Sequence, residues 1–303
     1  MSRDDAGAAP AAFGRVLVAM VTAFDAGGGL DLDAAQRVAT LLVDDGCDGL
    51  VLSGTTGESP TTSDDEQRRL IEAVVDVVGD RARVVAGVGT FDTRHSVHLA
   101  EQAAAAGAHG VLLVTPYYSK PPPAALLAHF RTVADATDLP VLLYDIPGRT
   151  GTRIGTDVLL ALADHPRVLA VKDATGDLTA GSWVMRETGL AYYSGDDALN
   201  LAWLAHGAVG IVSVVGHVAA GPYSDLVTAV EKGDLTTARE IHNRLLPAVR
   251  GVMTRTQGVV AVKAALQLAG VLAHRTVRPP LLPATDDEVA ALRADLIASG
   301  LAT

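Results

Sequence analysis

Val168-Leu169-Ala170-Val171-Lys172-Asp173-Ala174-Thr175 (VLAVKDAT, residues 168–175) is an apolar run that ends abruptly in a lysine and an aspartate. Consecutive apolar residues without alternation mark a strand covered on both faces, which is the habit of parallel sheets. Runs of the same kind lie on either side: RVLVAMVTAF (15–24), GLVLSG (49–54), RVVAGVG (83–89), GVLLVTP (110–116), PVLLYDIP (140–147), AYYSGDD (191–197) and GIVSVV (210–215). The segments between them carry helix start and stop signals. Asp31 or Asp33 can cap the first, which stops at Gly46. Ser63 with Glu66 makes a capping box for the second, followed by Leu70, Ile71, Val74, Val75 and Val78 at helical spacing. A third starts at Thr93 and stops at Gly107. Eight strand–helix units in about 230 residues predict an α/β fold, a (β/α)8 barrel in preference to a doubly wound sheet.

After Gly233 the rhythm changes. Segments 234–250, 257–270 and 285–299 read as helices with no strand between them, the last two separated by Pro279, Pro280 and Pro283. The expected organisation is a barrel over residues 1–232 and a C-terminal helical extension over 233–303. The opening stretch, MSRDDAGAAP, reads as part of a short disordered tail through residue 12.

Composition narrows the function. The chain has 303 residues with 24 basic and 35 acidic side chains, a net charge of −11. Such a surface repels phosphate backbones and anionic lipid, which argues against nucleic-acid and membrane partners. A small anion needs a locally basic pocket. Cys47 is the only cysteine, so no internal disulfide is possible and a reducing cytoplasm fits best. No signal peptide is legible at the start, and the most apolar stretches (110–116 and 201–215) are too short or too interrupted to span a bilayer.

In a barrel of this kind the chemistry sits at the C-terminal ends of the strands. Those ends read Gly54-Thr55-Thr56-Gly57-Glu58, Thr115-Pro116-Tyr117-Tyr118, Tyr144-Asp145-Ile146-Pro147-Gly148-Arg149, Lys172-Asp173 and Gly195-Asp196-Asp197. Lysine occurs at four positions: Lys120 and Lys232 in loops, Lys263 in a helical pattern where its stem can snorkel, and Lys172 at the end of a buried strand. Burial disfavours the ammonium and frees the amine to attack a carbonyl, although a strand-end ion pair with Asp173 or another carboxylate is the plainer alternative. Tyr144 can move protons beside such a lysine or simply cap a barrel layer. Thr55 and Thr56 occupy a glycine-flanked turn able to hold a carboxylate, with Glu58 otherwise explained as favoured near a helix start. Arg149 can grip a carboxylate bidentately or stand as an exposed loop residue. Asp196 and Asp197 fit a paired acid or a helix-capping turn. His95 and His98 lack the companions of a metal site, and nucleotide-binding glycine motifs are missing.

Six strings in order along nearly the whole chain carry a resemblance: GTTGES (54–59), TPYYSKPP (115–122), LYDIPGRTG (143–151), VKDATGD (171–177), SGDDALN (194–200) and GIVSVVGHVAA (210–220). The sequence resembles the dihydrodipicolinate synthase family of the N-acetylneuraminate lyase superfamily. The resemblance implies a lyase of lysine and diaminopimelate biosynthesis that condenses pyruvate with L-aspartate 4-semialdehyde through an imine on Lys172. It implies that Thr55 and Thr56 hold the pyruvate carboxylate, and that Arg149 holds that of the semialdehyde. Gly195 and Val212 would line the pyruvate pocket, Val212 where the family often has isoleucine. Tyr144, Thr55 and Tyr118 would form a proton relay, Tyr118 reaching in from a neighbouring subunit of a homotetramer. No metal or organic cofactor is implied. Lysine-inhibited members carry a glutamate near the position of His95 and histidines where this chain has Asp64 and Gln67, so weak or absent inhibition by L-lysine is expected. The rival readings are a sister aldolase acting on a sugar acid, disfavoured by Thr55 (sialate lyases usually read GSTGE) and by Arg149, and a barrel that binds without catalysing.

Overall fold

A computed structural model describes residues 8–301. The eight apolar runs become β1 (Val16–Ala19), β2 (Gly49–Leu52), β3 (Arg83–Gly87), β4 (Gly110–Val114), β5 (Val141–Asp145), β6 (Val168–Asp173), β7 (Ala191–Ser194) and β8 (Gly210–Ser213). They pair in parallel and in sequence order, and β1 closes the barrel on β8. Helix α1 (Ala8–Phe13) precedes the barrel. The connections carry α2 (Leu32–Asp44), α3 (Asp64–Val78), α4 (Thr93–Ala105), α5 (Pro123–Asp135), α6 (Pro147–Thr150) with α7 (Thr156–Leu162), α8 (Leu178–Thr188), α9 (Asn200–Ala205) and α10 (Gly216–Glu231). Asp31 caps α2, and Ser63 and Glu66 form the expected capping box on α3.

Strand residues of alternating parity divide the core. Leu17, Val51, Val85, Leu112, Leu142, Ala170, Ala191 and Val212, one from each strand, form an inner cluster, while their neighbours pack outward against the helices. This is the layered filling of a small barrel, a packed core with no pore. Several strands are shorter than their apolar runs. Beyond Ala19 the chain leaves the sheet, yet Val21, Ala23 and Phe24 stay buried, and the Val21 N–H donates to His217 Nε2 on α10. Val21 is tied to α10, whereas Phe24 bridges to Leu30 and lies under Lys263 and Arg278, so contacts outside the barrel sheet account for those extra apolar residues.

The tail reading is corrected at residues 8–12, which are helical; residues 1–7 lie outside the described residues. Ala9 and Phe13 of α1 join the inner cluster, and Phe13 meets Tyr193 edge-on at 6.4 Å between ring centroids. A Cβ on Gly49 would fall 2.3 Å from the Phe13 carbonyl oxygen, and one on Gly110 would fall 2.7 Å from its ring. Both glycines begin strands, so α1 closes the barrel at the end opposite the expected site.

The extension comprises α11 (Leu235–Met253), α12 (Gly258–Leu268) and α13 (Asp286–Ala298). Val249, Leu266 and Leu296 belong to the same apolar cluster as Leu226 and Val227 of α10. Among the described residues no helix is long and apolar enough to cross a membrane.

Candidate active site

Lys172 follows Ala170 by two residues, and strand alternation therefore points both into the barrel. Parallel register sets Lys172 beside Tyr144 on β5, and the Lys172 Nζ lies 4.1 Å from the Tyr144 ring centroid. The lysine is 4 % exposed. Burial pulls its pKa down to about 7; the Asp197 carboxylate opposes that shift, and the Arg149 cation adds to it. A large fraction of the amine is thus unprotonated at neutral pH, which a nucleophile that attacks a carbonyl requires.

Gly195 explains itself beside this side chain. A Cβ there would lie 3.0 Å from Lys172 Cγ and 3.1 Å from its Cε, besides 2.9 Å from the Asp173 carbonyl oxygen. Only glycine leaves the lysine its path along the strand end. Val212 is buried in the inner cluster that also contains Tyr144. Burial raises the Tyr144 pKa, while the Arg149 charge and a hydrogen bond with Thr55 draw it back. The phenol therefore stays neutral, able both to donate and to accept.

Above this floor opens a cavity of 710 Å³ whose lining includes Thr55, Tyr117, Tyr118, Lys120, Tyr144 and Arg149. Two cations and no acid among its described lining make it the locally basic pocket that a small anion needs in a chain of net charge −11. Arg149 sits exposed on α6 and also borders a second cavity of 280 Å³, shared with Thr55 and Thr56. Lys172, Gly195 and Val212 lie outside the lining of both cavities. Tyr118 is 93 % exposed with φ at +72° and lines the same cavity as the buried Tyr144.

Some roles escaped the sequence. Asp196 caps the short turn that follows β7, donating nothing and accepting from the Ala198 N–H. Asp197 does something different. Its carboxylate is buried and accepts from Ser213 Oγ, from Asn200 Nδ2 at 3.2 Å, and from the Val214 and Val215 N–H groups at 2.9 and 3.0 Å. It holds the end of β8 and the start of α10 while facing Lys172 electrostatically. Neither a catalytic acid pair nor a simple turn describes it. Lys263 does not snorkel: it is 0 % exposed and paired with Glu58, 205 positions away. His95 and His98 both approach Asp64, with Nε2–carboxylate distances of 3.0 and 3.9 Å.

Comparison with known proteins gives the chain its family. A 4-hydroxy-tetrahydrodipicolinate synthase from Kineococcus radiotolerans is 66 % identical over 290 residues, covering 96 % of this chain and 94 % of the relative. A crystal structure of the dihydrodipicolinate synthase from Cyanidioschyzon merolae with lysine bound superposes with a TM-score of 0.92 at 36 % identity, covering 96 % of this chain and 99 % of that one. A monomeric dihydrodipicolinate synthase variant superposes with a TM-score of 0.92 at 34 % identity, covering 97 % and 99 %. Residues 12–299 match the dihydrodipicolinate synthetase family, and the chain belongs to it.

Proposed function

We propose that the protein performs the 4-hydroxy-tetrahydrodipicolinate synthase reaction, condensing pyruvate with L-aspartate 4-semialdehyde as a class I, imine-forming lyase of the cytoplasm. The observation that carries this is a buried lysine whose pKa falls to about 7, set against a tyrosine ring beneath a basic cavity. The free Lys172 amine adds to the pyruvate ketone, and the carbinolamine loses water to give the imine. Loss of a methyl proton gives an enamine, whose carbon attacks the semialdehyde's carbonyl. The semialdehyde's amine then adds to the imine carbon and displaces Lys172, closing the ring. The protonated imine is itself the electron sink, so the scheme calls on no metal or organic cofactor. Borohydride reduction in the presence of pyruvate, followed by mass spectrometry, tests the reading. An adduct on Lys172 is expected, and its absence counts against any imine-forming lyase.

Within this scheme Thr55 and Thr56 receive the pyruvate carboxylate, and Gly195 and Val212 shape its pocket. Arg149 receives the semialdehyde's carboxylate at the rim. Arg149→Ala is expected to raise KM for the aldehyde by about tenfold or more, the worth of a charge-assisted hydrogen bond, while leaving the pyruvate adduct intact. An unchanged aldehyde KM in steady-state assays removes Arg149 from this role.

Tyr144, Thr55 and the partner subunit's Tyr118 form the proposed proton relay. The exposure of Tyr118 supports it, as does Phe91, 62 % exposed and edge-on to Tyr117 at 5.4 Å. Clustered exposed aromatic rings favour burial by a second copy, and a homotetramer is the proposed assembly. Dilution that dissociates it is expected to lower specific activity in step with the mass measured by sedimentation. Full activity in a monomer would remove the shared tyrosine.

Inhibition by L-lysine is expected to be weak or absent. At the positions in question Asp64 is already engaged by His95, and Gln67 is tied to Ser59 and Thr62. No unpaired carboxylate is left there for an effector's ammonium. A titration with L-lysine at saturating pyruvate checks this, and potent inhibition overturns it.

A further inference from the structure

Between the barrel mouth and the extension lies a charged cluster that the condensation scheme does not use. Lys263 Nζ on α12 donates to Glu58 Oε1 at 2.5 Å and to the Thr276 carbonyl at 2.8 Å, with both side chains of the pair almost wholly buried. The other Glu58 oxygen accepts the Arg278 backbone N–H at 2.8 Å. Arg278 also forks onto Glu66 at 2.6 and 2.8 Å and donates to the Thr61 carbonyl at 2.7 Å. Lys263 Nζ and the Arg278 guanidinium both stand over the Phe24 ring, at 4.1 and 4.3 Å from its centroid.

A buried ion pair is an inefficient source of stability, because desolvation of both charges offsets their attraction. Its physical use is to select one arrangement, and here the arrangement is a strained one. Ser53 and Glu58, immediately flanking Gly54-Thr55-Thr56-Gly57, have φ of +53° and +55°. Left-handed backbone at residues with a Cβ persists only where the surroundings over-determine it. On one side Thr22 Oγ1 donates to the Gly57 carbonyl at 2.6 Å. On the other, the 280 Å³ cavity separates Thr55 and Thr56 from Met253, Gly258 and Leu281 of the extension. Extension packing therefore does not fill the space behind the two threonines. The hydrogen bonds that tie this turn to the extension run through Glu58.

We propose that Lys263, Glu58 and Arg278 form a positioning clamp that holds the Thr55-Thr56 turn in register with Lys172 for the carboxylate of pyruvate. This rests on the imine-forming reading of the site. None of the three residues touches substrate; they act through the turn.

The test is the charge-free double variant Glu58→Gln/Lys263→Met, assayed for melting, steady-state kinetics and borohydride trapping beside the wild type. The double variant is expected to melt cooperatively, with pyruvate KM raised about tenfold or more, since a misplacement of about 1 Å can cost up to about 10²-fold. Its kcat falls as well, because the same turn carries Thr55 of the proposed relay, and saturating pyruvate still marks Lys172. Each single variant strands one buried charge and performs worse, so the double variant rescues it in part. A purely structural pair would lower the melting temperature without moving KM, and a folded double variant with wild-type pyruvate KM overturns the clamp. Should the double variant not fold, Arg278→Met removes the guanidinium contacts to Gly28, Thr61 and Glu66 from the partly exposed end and leaves the backbone N–H on Glu58. It is expected to raise pyruvate KM about threefold, the worth of a hydrogen bond or so; an unchanged value overturns the proposal equally. A wild-type enzyme that gives no pyruvate adduct overturns the reading of the site, and the clamp with it. The two failures are distinguishable because one appears in the variants and the other in the wild type.

Discussion

Replacement of Lys172 by methionine is expected to abolish the pyruvate adduct, to lower kcat by at least about 10⁴-fold, and to raise the melting temperature at neutral pH. The loss follows because the other lysines are placed elsewhere: Lys263 is locked on Glu58, Lys120 lines the cavity above with Arg149, and Lys232 ends α10. The gain follows from proton linkage. Burial depresses the Lys172 pKa from 10.5 to about 7. Between those values the unfolded chain holds a proton that the folded protein does not. The stability owed to this group therefore rises with pH across that window and is lowest below about 7. Methionine has a similar length and no charge to desolvate. Melts of both proteins across the window check the prediction, the advantage of the variant shrinking as pH rises towards 10.5. A variant that melts lower at neutral pH would show that burying the lysine carries no such penalty. In the wild type, kcat/KM for pyruvate is expected to fall as pH drops through about 7, as the amine takes up its proton.

Tyr144→Phe is the second large effect, a fall in kcat of about 10²–10³-fold with little change in pyruvate KM. One oxygen is removed and the ring that packs against Lys172 remains, so the site's shape survives. What disappears is the hydroxyl that Thr55 hydrogen-bonds, beside Arg149. The proposed relay then lacks the phenol that would deliver a proton to the carbinolamine's departing oxygen. Rapid mixing with pyruvate separates the steps, and adduct formation should slow together with turnover. A kcat within threefold of wild type would place the relay elsewhere.

The barrel was legible because a parallel strand, covered on both faces, writes itself as an unbroken run of Val, Leu and Ile. The rim was legible because strand ends are where a barrel puts its loops, and Lys172 was out of character for its surroundings. Other features have no local signature. The Glu58–Lys263 pair joins residues 205 positions apart, and a lysine at helical spacing looks alike whether its amine reaches water or a carboxylate. Asp197 reads as half of an acidic doublet until the fold brings Ser213, Val214 and Val215 to it. Helix α1 is six residues of mostly alanine, too short to declare itself by periodicity; tertiary burial of Ala9 and Phe13 orders it.

That short helix decides more than the barrel's lower rim. Phe13, seated against the first residues of β2 and β4, seals the packed core at its lower end, so on the proposed reading what reaches Lys172 comes down from the Arg149 side. On that reading a molecule held at the rim would obstruct the one bound for the floor, so pyruvate is expected to arrive first and the aldehyde to follow. The cyclised product must then vacate the same route before the next pyruvate can descend. On this reading shape sets the order of arrival, and steady-state inhibition patterns test it.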